Sequence, residues 1–232
     1  MNINTEFFQI LHASITWKQC NKLPVKLSQG KATVINGKVY CGGGVTDDND
    51  EEDEYIVYCY DPSQDKWTSL PPLPVIWFGL SQVNGKLVAV GGKKKNGGGT
   101  NKVYTYEEQS QKWKQTIPPM PTARYSPGVL SLQSALVVAG GYTPSVVDIV
   151  EIFKPDTLQW YKTDPLPRNC RGVSLVTIGN TCYALGGYRG VYLNQALYAS
   201  VDDLLCNAVP ANQITHSCSS DTQSAWTQHS NL

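Results

Sequence analysis

Residues 31–44 read KATVINGKVYCGGG, and this stretch contains the local signals that decide the fold. Two short apolar runs, Lys31–Ile35 and Lys38–Cys41, are separated by Asn36-Gly37. An Asn-Gly pair between such runs predicts a β-hairpin with a type I′ turn, because both residues tolerate the positive φ that this turn requires. The pair Gly43-Gly44 ends the second run, so we expect the chain to bend away from the strand there.

The same order of features recurs four times along the chain. The second Gly of the pair returns after 48, 49 and 46 residues, and a Leu-Pro or Met-Pro dipeptide follows each of four Trp residues by six or seven positions. Self-similarity at a period near 50 residues indicates a repeat architecture. The glycine pairs are Gly43-Gly44, Gly91-Gly92, Gly140-Gly141 and Gly186-Gly187; the Trp residues are Trp17, Trp67, Trp113, Trp160 and, after a longer interval, Trp226.

Each unit contains four strand-like runs, which in the first unit are Lys31–Ile35, Lys38–Cys41, Tyr55–Tyr60 and Lys66–Ser69. A four-stranded antiparallel sheet has two faces to bury and cannot bury both alone, so similar sheets need to pack radially against each other. The sequence therefore predicts an all-β fold built from four blades at about 28–70, 78–117, 124–163 and 171–229.

The glycine pair, the aromatic-Asp-Pro of Tyr60–Pro62, the Trp and the Leu/Met-Pro followed by Arg together resemble the Kelch repeat. The resemblance covers 17–232 and leaves 1–16 as an N-terminal segment. It implies a Kelch-type β-propeller, a fold that usually has more blades than this chain supplies. We therefore expect a partial propeller, a fragment of a larger ring that would have one to three further blades.

Two features depart from the repeat pattern. Trp17 is interpreted as part of a fourth strand whose other strands are absent, and the polar segment 203–224 is predicted to be a long loop inserted between the third and fourth strands of the last unit. An open array of blades leaves unpaired edges and an apolar blade face, so we expect self-association through the open blade edges.

The composition excludes several classes of protein. The formal net charge is zero, so no electrostatic footprint for nucleic acid or an anionic membrane surface is present. No apolar run approaches the length of about 18 residues that spans a membrane. The seven Cys residues have no C-x-x-C spacing, which favours a reducing, cytoplasmic compartment over a disulfide framework or a zinc site.

A candidate binding face follows from strand direction. In an antiparallel sheet, the start of strand one lies beside the end of strand two, so the residue eleven after each Trp should lie near the residue after each glycine pair. The first set is Ser28, Phe78, Arg124 and Arg171; the second is Val45, Lys93, Tyr142 and Tyr188. By the Kelch resemblance, the candidate partner-binding residues are Arg124, Tyr125, Tyr142, Arg171, Tyr188 and Arg189. The alternative is that the Arg side chains brace loops by bonding backbone carbonyls.

Two charged runs lie in loops on the same side. Residues 47–54 contain seven acidic residues in eight, and Lys93-Lys94-Lys95 follows the next glycine pair. Solvated loop tips are the simplest interpretation. Calcium binding by the acidic run and docking between the two loops are the alternatives.

The resemblance implies a non-catalytic protein-interaction module with an unidentified protein partner, either a substrate receptor of a cullin-type ubiquitin ligase or a scaffold. The alternative is a carbohydrate-active propeller similar to sialic-acid mutarotases or galactose oxidase. The oxidase type needs copper held by Tyr and His, whereas this chain has only three His. No catalytic motif is found. We therefore predict no catalytic residue, no metal and no cofactor.

Overall fold

The computed structural model describes residues 19–46, 55–211 and 225–228. Almost all regular structure in this part is antiparallel β-sheet, so the all-β prediction is confirmed. The strand predicted around Trp17 and the acidic run 47–54 lie outside the described residues. Within the described ranges, no helix is both long and apolar enough to cross a membrane.

The elements repeat in four groups, which are the four blades. The first two blades begin with a two-residue strand, and the last two begin with a five-residue strand. Blade 1 contains β1 (Leu27–Ser28), β2 (Lys31–Ile35), β3 (Lys38–Gly42), β4 (Val45–Thr46), β5 (Val57–Asp61) and β6 (Lys66–Ser69). Blade 2 contains β7 (Val75–Ile76), β8 (Gly79–Val83), β9 (Lys86–Val90), β10 (Lys93–Lys94), β11 (Val103–Glu107) and β12 (Lys112–Lys114).

Blade 3 contains β13 (Gly128–Leu132), β14 (Ala135–Ala139), β15 (Tyr142–Thr143), β16 (Ser145–Val146), β17 (Val150–Lys154) and β18 (Gln159–Thr163). Blade 4 contains β19 (Ser174–Ile178), β20 (Thr181–Leu185), β21 (Ala196–Ser200) and β23 (Thr227–Gln228). Between β21 and β23, the chain forms helix α1 (Val201–Cys206) and strand β22 (Val209–Pro210).

The four main sheets are antiparallel meanders. Their strand orders are β2-β3-β5-β6, β8-β9-β11-β12, β13-β14-β17-β18 with β22 added, and β19-β20-β21-β23. The hairpin predicted at Asn36-Gly37 is present, with φ of 49° at Asn36 and 75° at Gly37. The four predicted blades in a propeller arrangement are therefore confirmed.

The insertion in blade 4 differs from the expected loop. Of 203–224, residues 203–211 are described, and they contain the end of helix α1 and strand β22. Strand β22 does not join its own blade but pairs with β18 of blade 3, through Tyr161↔Pro210 and Lys162↔Val209. Leu204 of α1 is fully buried in the core between blades 3 and 4. The first part of the insertion is thus a structural tie between two blades.

Consecutive blades pack through their inner strands, with β2 against β8, β8 against β13 and β13 against β19. Three apolar clusters fill these interfaces, between blades 1 and 2, blades 2 and 3, and blades 3 and 4. Four of the repeated Trp residues add hydrogen bonds between distant parts of the chain. In each of them, the indole N–H donates to a backbone carbonyl 42 to 62 residues earlier. The pairs are Trp67 to Asn21, Trp113 to Pro71, Trp160 to Pro118 and Trp226 to Asp164.

The described cysteines are free thiols. Cys59, Cys170 and Cys182 are buried, whereas Cys20 and Cys206 are exposed. Burial raises the pKa of the Cys170 thiol to about 11, so this side chain is protonated near neutral pH. The buried thiols therefore act as small core side chains.

Candidate functional site

Short antiparallel pairings bring the entry of each blade beside the turn after its glycine pair. The paired residues are Ser28 with Val45, Ile76 with Lys93, Tyr125 with Tyr142, and Arg171 with Tyr188. The predicted adjacency of the two sets is therefore correct for the first and last blades. In the middle blades, the residue eleven after Trp is not the one that pairs: Ile76 takes the place of Phe78, and Tyr125 takes the place of Arg124.

Arg124 requires a correction, because its side chain is 0% exposed and cannot be part of a surface that a partner touches. Its guanidinium donates to the carbonyl oxygens of Gly140 at 3.0 Å and Ile149 at 2.9 Å and forms an ion pair with Glu151. Arg124 thus follows the alternative given above, in which the Arg side chain holds loops in place by donating to backbone carbonyls. The physical reason is the alternation of side chains in extended backbone, which turns Arg124 inward and its neighbour Tyr125 outward.

Four of the remaining candidates, Tyr125, Tyr142, Arg171 and Tyr188, meet in one continuous row of contacting side chains, which we name the cationic–aromatic row. Trp77 contacts Tyr125 with ring centroids 5.5 Å apart, and Tyr125 stacks on Tyr142 at 5.0 Å. The ammonium of Lys93 lies 4.8 Å from the Trp77 ring centre at one end. The row, in order across blades 2 to 4, is Lys93, Trp77, Tyr125, Tyr142, Arg171, Tyr188 and Tyr192.

Arg171 lies in the middle of this row, between two rings. Its guanidinium carbon is 5.6 Å from the ring centre of Tyr142 and 5.0 Å from that of Tyr188. Both distances are in the range of cation–π attraction. Burial raises the pKa of the neighbouring Tyr125 hydroxyl, and the positive charge of Arg171 partly opposes this rise. Arg171 is therefore positioned before any ligand arrives, while part of it stays exposed.

The row borders a cavity of about 650 Å³ between the inner strands, and all four blades contribute to its wall. Blade 1 contributes Lys31 and Val45, blade 2 Trp77, and blade 4 Arg171 and Tyr188. Exposed Arg189 follows Tyr188 in the turn that also carries Tyr192, so it flanks the row at its blade 4 end.

The predicted binding residues did not include four residues of the site, which are Trp77, Lys93, Lys31 and Tyr192. Trp77 is the one Trp that falls outside the repeat spacing, and this irregularity is a sequence signal for a role other than blade packing. The sequence analysis places Lys93 on the candidate face, as the residue after its glycine pair, and in a charged run, but does not select it as a binding residue. Nothing in the sequence marks Lys31, because its place in the cavity wall depends on how blades 1 and 4 approach each other.

Comparison with known proteins agrees with the propeller fold. A family profile described as the Kelch motif matches 27–74 and 123–167. Kelch-like protein 40 of Mus musculus is 29% identical over 187 residues, covering 78% of this chain and 30% of the relative. Kelch-like protein terF of Aspergillus terreus is 27% identical over 188 residues, covering 74% of this chain and 41% of the relative.

The chain thus spans about a third of the length of the curated relatives that it matches. Among solved structures, that of YjhT is similar in fold, with a TM-score of 0.67 at 17% identity over 85% of this chain and 69% of that chain.

Proposed function

Because the chain is a member of the Kelch-repeat family and folds as a β-propeller, we propose that it is a non-catalytic protein-interaction module that binds its partner through the cationic–aromatic row. The position of Arg171 between Tyr142 and Tyr188 is the observation that carries the proposal. Arg and Tyr are enriched at the energetic centres of interfaces. A guanidinium already held by two rings loses little conformational entropy on binding, and its fork of donors remains available to a partner.

We extend the proposal to a substrate-recognition or scaffold domain within a longer protein. The relatives support this extension, since 78% of this chain matches only 30% of the mouse Kelch-like protein 40. A role as a ubiquitin-ligase adaptor requires a BTB domain in the same full-length protein. Co-purification of the full-length protein with a cullin would support the adaptor role, whereas a full-length sequence without a BTB domain would favour the scaffold.

The carbohydrate-active alternative has less support from the row. Sugar binding by aromatic residues needs a free ring face. The rings of Trp77, Tyr125, Tyr142 and Tyr188 contact each other, Lys93 or Arg171, whereas Tyr192 at the end of the row is 87% exposed. A thermal-shift screen against sialic acids and other sugars would test this alternative. A stabilising shift that disappears in the Arg171→Ala variant would favour carbohydrate binding over a protein partner.

Affinity purification with the full chain tests the proposal. Proteins recovered with the wild-type chain should be lost with the double variant Arg171→Ala, Tyr188→Ala. The matched control is Lys154→Ala, Tyr161→Ala, which removes another cation–ring pair (4.8 Å) at the opposite end of blade 3. Circular dichroism shows whether both variants fold. Equal recovery by the wild-type chain and the row variant would overturn the proposed surface.

A further inference from the structure

A second groove, of about 430 Å³, lies beside the segment that connects blade 1 to blade 2, and we name it the lysine groove. It has no described lining residue in common with the central cavity. Its described wall contains Lys94, Lys95 and Lys102 and no acidic residue. Buried Val75 and Tyr104 belong to the same wall, so the lysines stand on packed structure.

The charge of the three groove lysines is not balanced by the described part of the chain. Lys94, Lys95 and Lys102 are exposed, and none of them forms an ion pair within the described ranges. By contrast, Lys38 pairs with Asp61 at 3.2 Å. Because like charges close together repel each other, an anionic segment placed in the groove would be stabilised.

The chain contains a strongly anionic segment that is attached beside this groove. Residues 47–54 contain seven of the 19 acidic residues of the chain, and Tyr55 follows them directly. The carbonyl oxygen of Tyr55 accepts a hydrogen bond from Leu73 N at 2.8 Å. Pro74, the next residue after Leu73, lines the groove. The residue that follows the acidic run is therefore fixed at the groove wall.

The distance from this attachment to the lysines is short. Lys94 lies opposite Val75 in the pairing of β7 with β10, and Val75 is two residues after Leu73. Two extended residues and one spacing between strands place Lys94 within about 15 Å of Tyr55. About five extended residues span this distance. Part of the run can therefore follow the lysines while the rest returns to Thr46 at the end of β4.

We propose that the acidic run 47–54 binds in the lysine groove of the same chain and forms an ionic contact between blades 1 and 2. A segment joined to the chain at both ends meets the groove at an effective concentration on the order of mM, which a free acidic partner has to match. The central cavity is the competing position for the run, but its described wall has only two charged residues, Lys31 and Arg171. The inference goes beyond the proposed function, because it concerns another groove and needs no partner.

Zero-length cross-linking of the full chain tests where the run binds. A carbodiimide joins a carboxylate to an ammonium where the two groups touch, and peptide mass spectrometry identifies the joined residues. Cross-links from 47–54 to Lys94, Lys95 or Lys102 should form, and their yield should fall several-fold between about 50 mM and about 500 mM NaCl. Exposed Lys112 lies at the opposite end of blade 2 and should give none.

The same reaction on an equal mixture of unlabelled and heavy-nitrogen-labelled chains separates contacts within one chain from contacts between two copies. Cross-linked peptide pairs should carry one and the same label. A majority of pairs with mixed labels would overturn the inference, because the groove would then bind the run of a second copy.

Thermal unfolding tests whether the contact stabilises the fold. In the neutralised run, every Asp of 47–54 is replaced by Asn and every Glu by Gln. The change in Tm that neutralisation causes should be more negative in the wild-type chain than in the groove variant, by about 2–4 °C, because contacting groups are not additive. The groove variant is Lys94→Gln, Lys95→Gln, Lys102→Gln.

A control variant removes the same amount of charge from exposed positions at the opposite ends of blades 1 and 2. Neutralising the run in this control should change Tm as it does in the wild-type chain. The control is Lys66→Gln, Lys86→Gln, Lys112→Gln.

An equal change in Tm on neutralisation in the wild-type chain, the groove variant and the control would overturn the inference. It would also be overturned if Lys31→Gln removed the effect of neutralisation and the groove variant kept it, since the run would then occupy the central cavity. If the predicted coupling is found while Arg171→Ala, Tyr188→Ala leaves partner recovery unchanged, the inference stands and the proposed binding surface is wrong.

Discussion

Arg124 and Glu151 form an ion pair in the interior of blade 3, and both side chains are 0% exposed. Thr122 donates its hydroxyl to Glu151 Oε1 at 2.7 Å, and Arg124 also donates to two backbone carbonyls. Burial lowers the pKa of the Arg124 guanidinium, and the charge of Glu151 opposes this change. Each partner therefore needs the other, because a buried charge left alone is strongly unfavourable.

Glu151→Ala should destabilise the fold by about 3–5 kcal/mol, because it leaves the Arg124 charge buried without its partner. Urea unfolding followed by circular dichroism measures the change. Glu107→Ala is the matched control, since Glu107 pairs with Lys114 at 2.5 Å on the surface and exposed pairs contribute little. Equal losses in the two variants would show that the buried pair is not important for stability.

At the residue scale, the sequence contains enough information to separate Arg124 from Arg171. Arg171 stands four residues after Pro167, whereas Arg124 stands three after Pro121, because one additional residue separates Trp113 from Met120. Tyr125 stands four residues after Pro121, so counting from the proline makes Tyr125 the equivalent of Arg171. The bridges agree, because Tyr125 pairs with Tyr142 as Arg171 pairs with Tyr188. The choice of Glu151 as the partner of Arg124 was not predictable, because it depends on the register of β14 and β17.

At the scale of single elements, the glycine pairs end strands where the backbone of the next blade entry passes closely. Gly140 has a φ of 63°, and a Cβ added there would lie 2.4 Å from the carbonyl oxygen of Cys170. Gly37, in the β2–β3 turn, also has a positive φ of 75°, but a Cβ added there would meet no atom within 4 Å. A side chain at Gly37 would therefore meet backbone strain alone, whereas one at Gly140 would meet the same strain and also a steric clash with the next blade.

Gly37→Ala should cost roughly 1–2 kcal/mol from the left-handed conformation alone. Gly140→Ala should cost clearly more, because the same strain is joined by a clash with backbone that cannot move without separating blades 3 and 4. Thermal and urea unfolding of the two variants against the wild-type chain provide the comparison. If Gly140→Ala lowers the free energy of unfolding no more than Gly37→Ala does, the glycine at 140 is needed only for its positive φ and not for close packing between blades.

Elements with local signals were predicted closely, and elements with non-local partners were not. Strands β2 and β6 have the predicted ends, Lys31–Ile35 and Lys66–Ser69, because alternation and turn residues define them within the segment. Helix α1 and strand β22 were missed in a polar stretch. Strand β22 exists because β18 of another blade offers it an edge, and such pairing leaves no pattern in residues 209–210 themselves.

At the scale of the whole molecule, the faces of equivalent blades have different surroundings. In blade 3, the face toward blade 4 buries Leu132 and Val137. The equivalent residues of blade 4, by strand register, are Ile178 and Tyr183. Ile178 is 71% exposed, and Val176 and Leu185 on the same face are 43% and 39% exposed. Blade number and order follow from the repeat, but the exposure of this face depends on which blade lies next to it.

We expect this face to bind another blade, so the chain should associate in a concentration-dependent way that sedimentation velocity can measure. Ile178→Lys should shift the distribution toward the monomer, because association would bury an ammonium in an apolar contact. Leu158→Lys is the control, since Leu158 is 63% exposed but lies in the turn between β17 and β18. The same shift in both variants would mean that added charge alone prevents association, and a monomeric wild-type chain would show that the face needs no partner.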